Sequence, residues 1–377
     1  MNITDMKALV IGNKTASLPI IQGGMGIGIS LSGLASAVAN QGGIGVISAA
    51  GIGMNEPDYV TDFIGANIRA LQREIRLARE KTSGLIGVNI MVAMTNFEQM
   101  VKVSVEEGID FIFAGAGLPL NLPKFLTESA KTKLVPIVSS ARAARILAKR
   151  WIDKFKYTPD AFVVEGPLAG GHLGFSQAQI SDTAFSLENI VTEVIAELKP
   201  YEELQQAPIP VIAAGGIYSG GDVDRFLSVG AAGVQMATRF VTTEECDASD
   251  AFKNSYLQAT KDDICLIDSP VGLPGRAIHN PFLDDVSAGK KKPFNCPFHC
   301  ISTCDYKNCP YCISVALMNA KRGFMKGGFA FAGANAFLSD KIVTVKSLVE
   351  SIRKEFADSR LNSAKTPIEE SHSIHIT

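Results

Sequence analysis

Eight short apolar stretches recur along the first two-thirds of the chain, each closing on glycine or other small residues. They are LPIIQGGM (18–25), GIGVISAA (43–50), LIGVNIM (85–91), DFIFAGAG (110–117), LVPIVSS (134–140), DAFVVEG (160–166), IPVIAAGG (209–216) and GVQMATRF (233–240). None alternates strictly between apolar and polar, so the pattern predicts strands covered on both faces, as in a parallel sheet. Helical periodicity fills several of the gaps. Over 57–80, Val60, Phe63, Ile64, Ile68, Leu71, Ile75 and Ala78 recur at three- and four-residue spacing with Arg, Gln and Glu opposite them. Segments 97–107 and 141–150 read the same way. Strand and helix alternating eight times predicts a TIM (β/α)8 barrel, with a doubly wound open sheet as its competitor. The long connections 167–185 and 261–310 then belong at the catalytic face or over it. Helical patterns return at 311–322 and 343–356. The expected organisation is a barrel over 1–245, a cysteine-containing extension over 246–360 packed on it, and a flexible tail over 361–377.

Composition narrows the function classes. Of 377 residues, 46% are hydrophobic and 20% charged, with a formal net charge of −2, so neither a nucleic-acid footprint nor a solvating acidic tail is visible. A small-molecule partner is the default. No stretch has the roughly 18 consecutive apolar residues of a membrane span, and MNITDMKALVIGNK lacks the pattern of a secretory leader. The expected location is the cytoplasm, where seven cysteines read as free thiols or metal ligands before disulfides.

Candidate chemistry collects at the predicted strand ends. GGMGIG (23–28) follows a strand, but its glycines do not fall as G-x-G-x-x-G and no carboxylate ends the second strand, which argues against a dinucleotide fold. AAGGI (213–217) and the residues Gln235, Met236, Ala237 and Thr238 end adjacent strands, where backbone N–H groups and a helix N-terminus suit a phosphate. On this reading Gly215, Gly216 and Thr238 hold it. In VVEGPLAGGHLGF (163–175), His172 sits on a glycine-flanked loop with little core to fill, a position that suits proton transfer or binding an anion. Glu165 either meets the ligand or caps the turn that follows. Gln22 and Asn89, at the ends of the first and third strands, offer amides to a heteroaromatic edge.

PIIQGGM, GVN, EGPLAGGHLG, PVIAAGGI and GAAGVQMATRF, in that order, resemble the nitronate monooxygenase family, formerly 2-nitropropane dioxygenases, and the related FMN-dependent enoyl-ACP reductases. The resemblance covers roughly residues 15 to 245 and implies a TIM barrel with FMN. It implies that Gln22, Gly23, Gly24 and Met25 lie beside the isoalloxazine and that Asn89 hydrogen-bonds to it. Gly215 and Gly216, following Ala214, and Gln235, Met236, Ala237 and Thr238 would enclose the ribityl phosphate. Glu165, Gly170 and Gly171 would border the cofactor, and His172, in the family's AGGH motif, would stand over the flavin. Ala237 replaces the glycine usual in the family's G-T pair. Two reactions share these residues: oxidation of an alkyl nitronate with O2 as acceptor, and hydride transfer from NAD(P)H through FMN to an enoyl thioester. A purine-nucleotide phosphate barrel is disfavoured because 166–185 holds no cysteine. A flavin-binding protein without turnover is the non-enzymatic alternative.

One segment stands apart. CPFHCISTCDYKNCPYC places Cys296, Cys300, Cys304, Cys309 and Cys312 within 17 residues, spaced C-x3-C-x3-C-x4-C-x2-C, with His299 among them. Four such thiolates suit an iron–sulfur cluster or zinc, although the spacing matches neither a zinc ribbon nor the usual ferredoxin run. Free thiols or a redox disulfide are the alternatives.

Overall fold

The computed structural model of this protein describes residues 5–291 and 296–365. All eight apolar stretches form strands: β1 Ile20–Gln22, β2 Gly45–Ser48, β3 Ile86–Met91, β4 Phe111–Gly115, β5 Lys133–Val138, β6 Phe162–Glu165, β7 Val211–Ala214 and β8 Gly233–Met236. They pair in parallel in sequential order, β8 pairs with β1, and a parallel bridge between Ile21 and Ile44 closes the ring. The sheet is a closed barrel, as the alternation predicts.

Each strand serves two cores, because successive side chains point to opposite faces. Ile21, Val46, Phe113, Val135, Val163 and Ile212 fill the barrel interior. Ile20, Ile47, Val88, Ile112, Phe162 and Val234 turn outward to the helices. An antiparallel hairpin, Leu9–Ile11 with Lys14–Ala16, adds Leu9 and Ile11 to the interior cluster and plugs the end away from the functional loops. Salt bridges of Asp110 with Lys14 and Arg79 lie at that end, beside the starts of β3 and β4, the face where a barrel invests in stability.

The helices are α1 Ser32–Asn40, α2 Phe63–Lys81, α3 Phe97–Glu106, α4 Ala141–Phe155, α5 Leu187–Gln205 and α6 Gly220–Val229. After β4 the connection holds only a 3-10 turn, Leu122–Phe125, so the regular alternation lapses once. Its prolines are the cause, since they remove amide donors an α-helix needs. Helix α2 begins at Phe63, with the Asp62 carboxylate accepting the Gly65 N–H at 3.0 Å, and residues 57–61 form turns. Val60 and Ile64, counted on the apolar stripe, are therefore 60% and 45% exposed, and Ala66, Ala70, Leu71, Ile75 and Ala78 form the packed face.

The residues beyond 245 share the barrel's core. Helices α7 Asp250–Gln258, α8 Pro281–Ser287, α9 Ile313–Lys321 and α10 Val345–Lys365 follow. Phe252 and Tyr256 of α7 and Leu348, Ile352 and Phe356 of α10 belong to the same buried cluster as the outward faces of the strands. Helix α10 lies against α6. It runs to Lys365, so residues 361–365 are helical where a tail was expected, and 366–377 lie outside the described residues. A hairpin, Ile264–Asp268 with Pro274–Ile278, pairs with the two-residue strand Gly171–His172 and so reaches back over the barrel mouth. Among the described residues no helix is long and apolar enough to cross a membrane.

Candidate active site

The loop after β6 is held open at its glycines. Gly171 has φ +80°, a conformation that disfavours side chains, and a Cβ on Gly170 would lie 2.5 Å from the backbone of Ala332 and Gly333. This close approach lets the segment 330–336 strap the functional loops together. The Ala334 N–H donates to Leu168 O, the Gly333 N–H to Thr238 Oγ1 at 3.1 Å, and the Asn335 amide to Gly216 O at 2.7 Å. The turns after β6, β7 and β8 are thereby fixed to one another.

Gly215 (φ +97°) and Gly216 (φ +78°) turn sharply against Ala169 and Leu168. Among the described residues, the N–H groups of Gly215, Gly216, Ile217, Ala237 and Thr238 have no protein acceptor. Five unpaired donors on two adjacent turns are what an anionic group requires. The starts of α6 and α1 are already occupied. Ser219 and Asp222 form a capping box on α6, and Glu355 accepts its Gly220 N–H at 2.7 Å. Asp247 accepts the Leu31 and Leu34 N–H groups at α1, and Glu74 accepts that of Ser32. The GGMGIG turn therefore feeds a helix whose N-terminus is closed to ligands.

The remaining sequence-read residues divide. Asn89 is half-buried and its side-chain amide meets no protein partner among the described residues. A Cβ on Gly24 would lie 2.3 Å from the Asn89 Cβ, so the glycine makes room for that amide. Met25 is half-buried, with its N–H donated to Ser30 Oγ at 2.8 Å. Gly23 donates its N–H to Met236 O and tucks against Gln235 and Ala237. Gln22, by contrast, is fully buried, accepts the Val46 N–H at 3.0 Å and donates to Gly23 O, so its amide braces β1 to β2 and is not on offer to a ring. Ala214 is part of the interior core, and Met236 turns into the helix layer, leaving only their backbones at the site.

His172 is the most constrained side chain of the group. Its Nε2 lies 2.7 Å from Ser269 Oγ, and its ring meets the edge of Phe331 with centroids 4.9 Å apart. Burial pulls its pKa down to about 4, so the imidazole is neutral at physiological pH. Burial also pushes Glu165, at the end of β6, up to about 7. Arg276 is buried and donates to Pro167 O and Ala169 O, both at 2.6 Å, clamping the histidine loop, so it is not free to contact an anion. His279 is 48% exposed and pairs with Asp284. Ser269, Phe331, Gly333 and Asn335 carry no motif. Phe331, Gly333 and Asn335 fall in the small-residue run GGFAFAGANAF (327–337), and Ser269 lies outside it.

The cysteine segment docks on the same end of the barrel. The Thr95 N–H donates to Cys300 O and the Ser302 N–H to Ala93 O, just past β3. Cys296, Cys300, Cys304, Cys309 and Cys312 line a cavity of about 200 Å³ with His299, whose ring packs on Tyr306. All are free thiols, and no group of three or more His, Cys, Asp or Glu among the described residues is placed to hold a metal ion. The metal assignment read from the spacing is thus not met by the side-chain positions. Burial raises the Cys312 pKa to about 11, and burial with the neighbouring Cys309 raises Cys304 to about 12. Ring contacts run from His172 to Phe331, from Phe331 to Phe329 and from Phe329 to Tyr311, at 4.9, 5.1 and 5.9 Å, and end one residue before Cys312.

The family model for nitronate monooxygenase matches residues 7–355. The chain belongs to the nitronate monooxygenase family. The match runs well beyond residues 15 to 245, so the extension that carries Ser269 and Phe331 is part of the family's pattern. A (3aS,4S,5R,7aS)-5-hydroxy-7a-methyl-1-oxo-octahydro-1H-indene-4-carboxyl-CoA dehydrogenase of Mycobacterium tuberculosis is 28% identical over 72% of this chain and 66% of its own length. A probable nitronate monooxygenase of Staphylococcus saprophyticus is 26% identical over 73% of this chain and 79% of its own. The structure of FabK from Thermotoga maritima aligns with a TM-score of 0.70 and 29% identity, covering 92% of this chain and 95% of that one. A nitroalkane oxidase from Streptomyces ansochromogenes shares the fold at a TM-score of 0.70 and 22% identity. The nitronate monooxygenase family is one of flavin-dependent oxidoreductases, and this member is an enzyme of that class.

Proposed function

We propose that this nitronate monooxygenase family member binds FMN and oxidises alkyl nitronates with molecular oxygen as the electron acceptor. The unpaired amides of Gly215, Gly216, Ile217, Ala237 and Thr238 fit the phosphate, and the uncommitted amide of Asn89 beside Gly24 fits the edge of a flavin ring. When bound, FMN supplies the electron sink and the centre that oxygen reoxidises. The protein's part is position and electrostatics.

The observation that carries the substrate class is the seating of His172, with Nε2 2.7 Å from Ser269 Oγ and its ring against Phe331, where burial pulls its pKa down. With its pKa near 4 it is a poor base for the α-proton of a nitroalkane, but a sound hydrogen-bond donor to an oxyanion already formed. The nitronate is such an anion. Glu165, protonated below about pH 7, adds no opposing charge there.

A second reading, a reductase that takes electrons from NAD(P)H to an enoyl thioester, is supported by the likeness to FabK and by the five-thiol cavity. Soft thiolates would hold an iron–sulfur cluster or zinc only after the side chains close on it and lose their protons, as metal binding drives. Anaerobic mixing of the yellow protein with ethyl nitronate, and separately with NADH or NADPH, separates the readings. Bleaching by the nitronate supports oxidation; rapid bleaching by nicotinamide with no nitronate turnover overturns it. Iron, zinc and acid-labile sulfide measured on the same sample test the cavity.

A further inference from the structure

We propose that Ser269 is the positioning residue for His172 and holds the neutral imidazole with its proton on Nδ1. Ser269 is buried in the turn of the hairpin that covers the barrel mouth. Its own N–H donates to Leu273 O and its carbonyl accepts the Gly272 N–H, so the turn fixes the hydroxyl in place. Ser269 Oγ accepts the Val271 N–H at 3.4 Å and stands 2.7 Å from His172 Nε2.

A serine hydroxyl has a single proton to donate. Among the described residues the only acceptor in reach of it is His172 Nε2. Were Nε2 protonated, the hydroxyl proton would be left in a buried turn without a protein partner, an unfavourable arrangement. With the proton on Nδ1, both groups are satisfied.

The surrounding elements leave this contact undisturbed. Asp268, next to Ser269, turns to Gln177 at 3.3 Å. Arg276, on the opposite strand of the hairpin, is spent on two carbonyls, and Phe331 presents only its ring. A carboxylate in the place of Ser269 would raise the basicity of the imidazole; a hydroxyl orients it without doing so. The same hairpin holds the backbone, since His172 pairs with Gly275. Ser269 thereby leaves Nδ1–H as the one free polar group of the ring, a donor to an oxyanion and not a proton acceptor.

The consequence for turnover rests on the proposed reaction, whereas the tautomer does not, so two readouts keep the two apart. Holoenzyme labelled with ¹⁵N-histidine is compared by NMR as wild type, S269A and S269T, with the His172 signals assigned by their loss in H172Q. The expected result is an Nδ1–H tautomer in wild type, a shift toward Nε2–H in S269A, and recovery in S269T. With ethyl nitronate, kcat is expected to fall about tenfold in S269A with KM little changed, and to return in S269T. An Nε2–H tautomer in wild type, or one unchanged in S269A, overturns the proposal. A tautomer that shifts as expected in protein that does not turn over nitronate leaves the assignment standing and removes the proposed reaction instead.

Discussion

Two half-buried ionisable side chains, Glu165 and His172, give this site its pH behaviour. The unfolded chain releases the Glu165 proton near pH 4.5 and the folded protein near 7, so its contribution is full below pH 4.5 and lost as pH rises to 7. Replacing it with glutamine removes that loss. Flavin-free E165Q is expected to match wild type in thermal melts at pH 4.5 and to exceed it at pH 8, by up to about 3 kcal/mol; equal melting points at pH 8 would show that the carboxylate is not desolvated. His172 acts with the opposite sign. Its folded pKa lies below the unfolded value of 6.5, so its contribution is full above pH 6.5 and lost as pH falls toward 4. Melts of H172Q are expected to be less sensitive to acid than wild type across that window.

At the level of elements, the site depends on straps between loops more than on any one loop. Gly170 touches the backbone of Ala332 and Gly333, where a methyl group has no space. G170A is expected to cost about 1–3 kcal/mol and to purify with little flavin, measured by melting and by the ratio of absorbance at 450 nm to that at 280 nm. Glu355 of α10 ties together the start of α6 and Arg239, which follows the turn after β8. E355A is expected to lose about 1 kcal/mol of stability and to weaken FMN retention, with E355Q intermediate. Neither strap was legible in the sequence, because each joins residues more than 100 positions apart through backbone groups that carry no residue signature. The amphipathic reading of the α2 region is met at Leu71, Ile75 and Ala78 and missed at Val60 and Ile64. Its packed face uses alanines against the barrel, while the larger Val60 and Ile64 stay outside.

Over the whole molecule, the extension completes the barrel's outer core and supplies the far side of the site. A chain truncated after residue 245 would expose the surfaces that Phe252, Tyr256, Leu348, Ile352 and Phe356 cover. It is expected to aggregate or fail to retain flavin on gel filtration; a monomeric yellow truncation would show that the barrel folds alone. The sequence by itself determined the barrel, because strands buried on two faces must be apolar throughout and their spacing is local. It also determined the glycine turns, the position of His172 and the family, since conformations with positive φ and close backbone approaches restrict which residues fit. Among the described residues, tertiary structure alone decided that Gln22 is a brace and Asn89 has no side-chain partner, that Ser269 and Phe331 flank His172, and that five thiols share a cavity without converging as ligands. Those outcomes depend on which partner reaches a polar group first when distant segments pack, and neither composition nor periodicity records that competition.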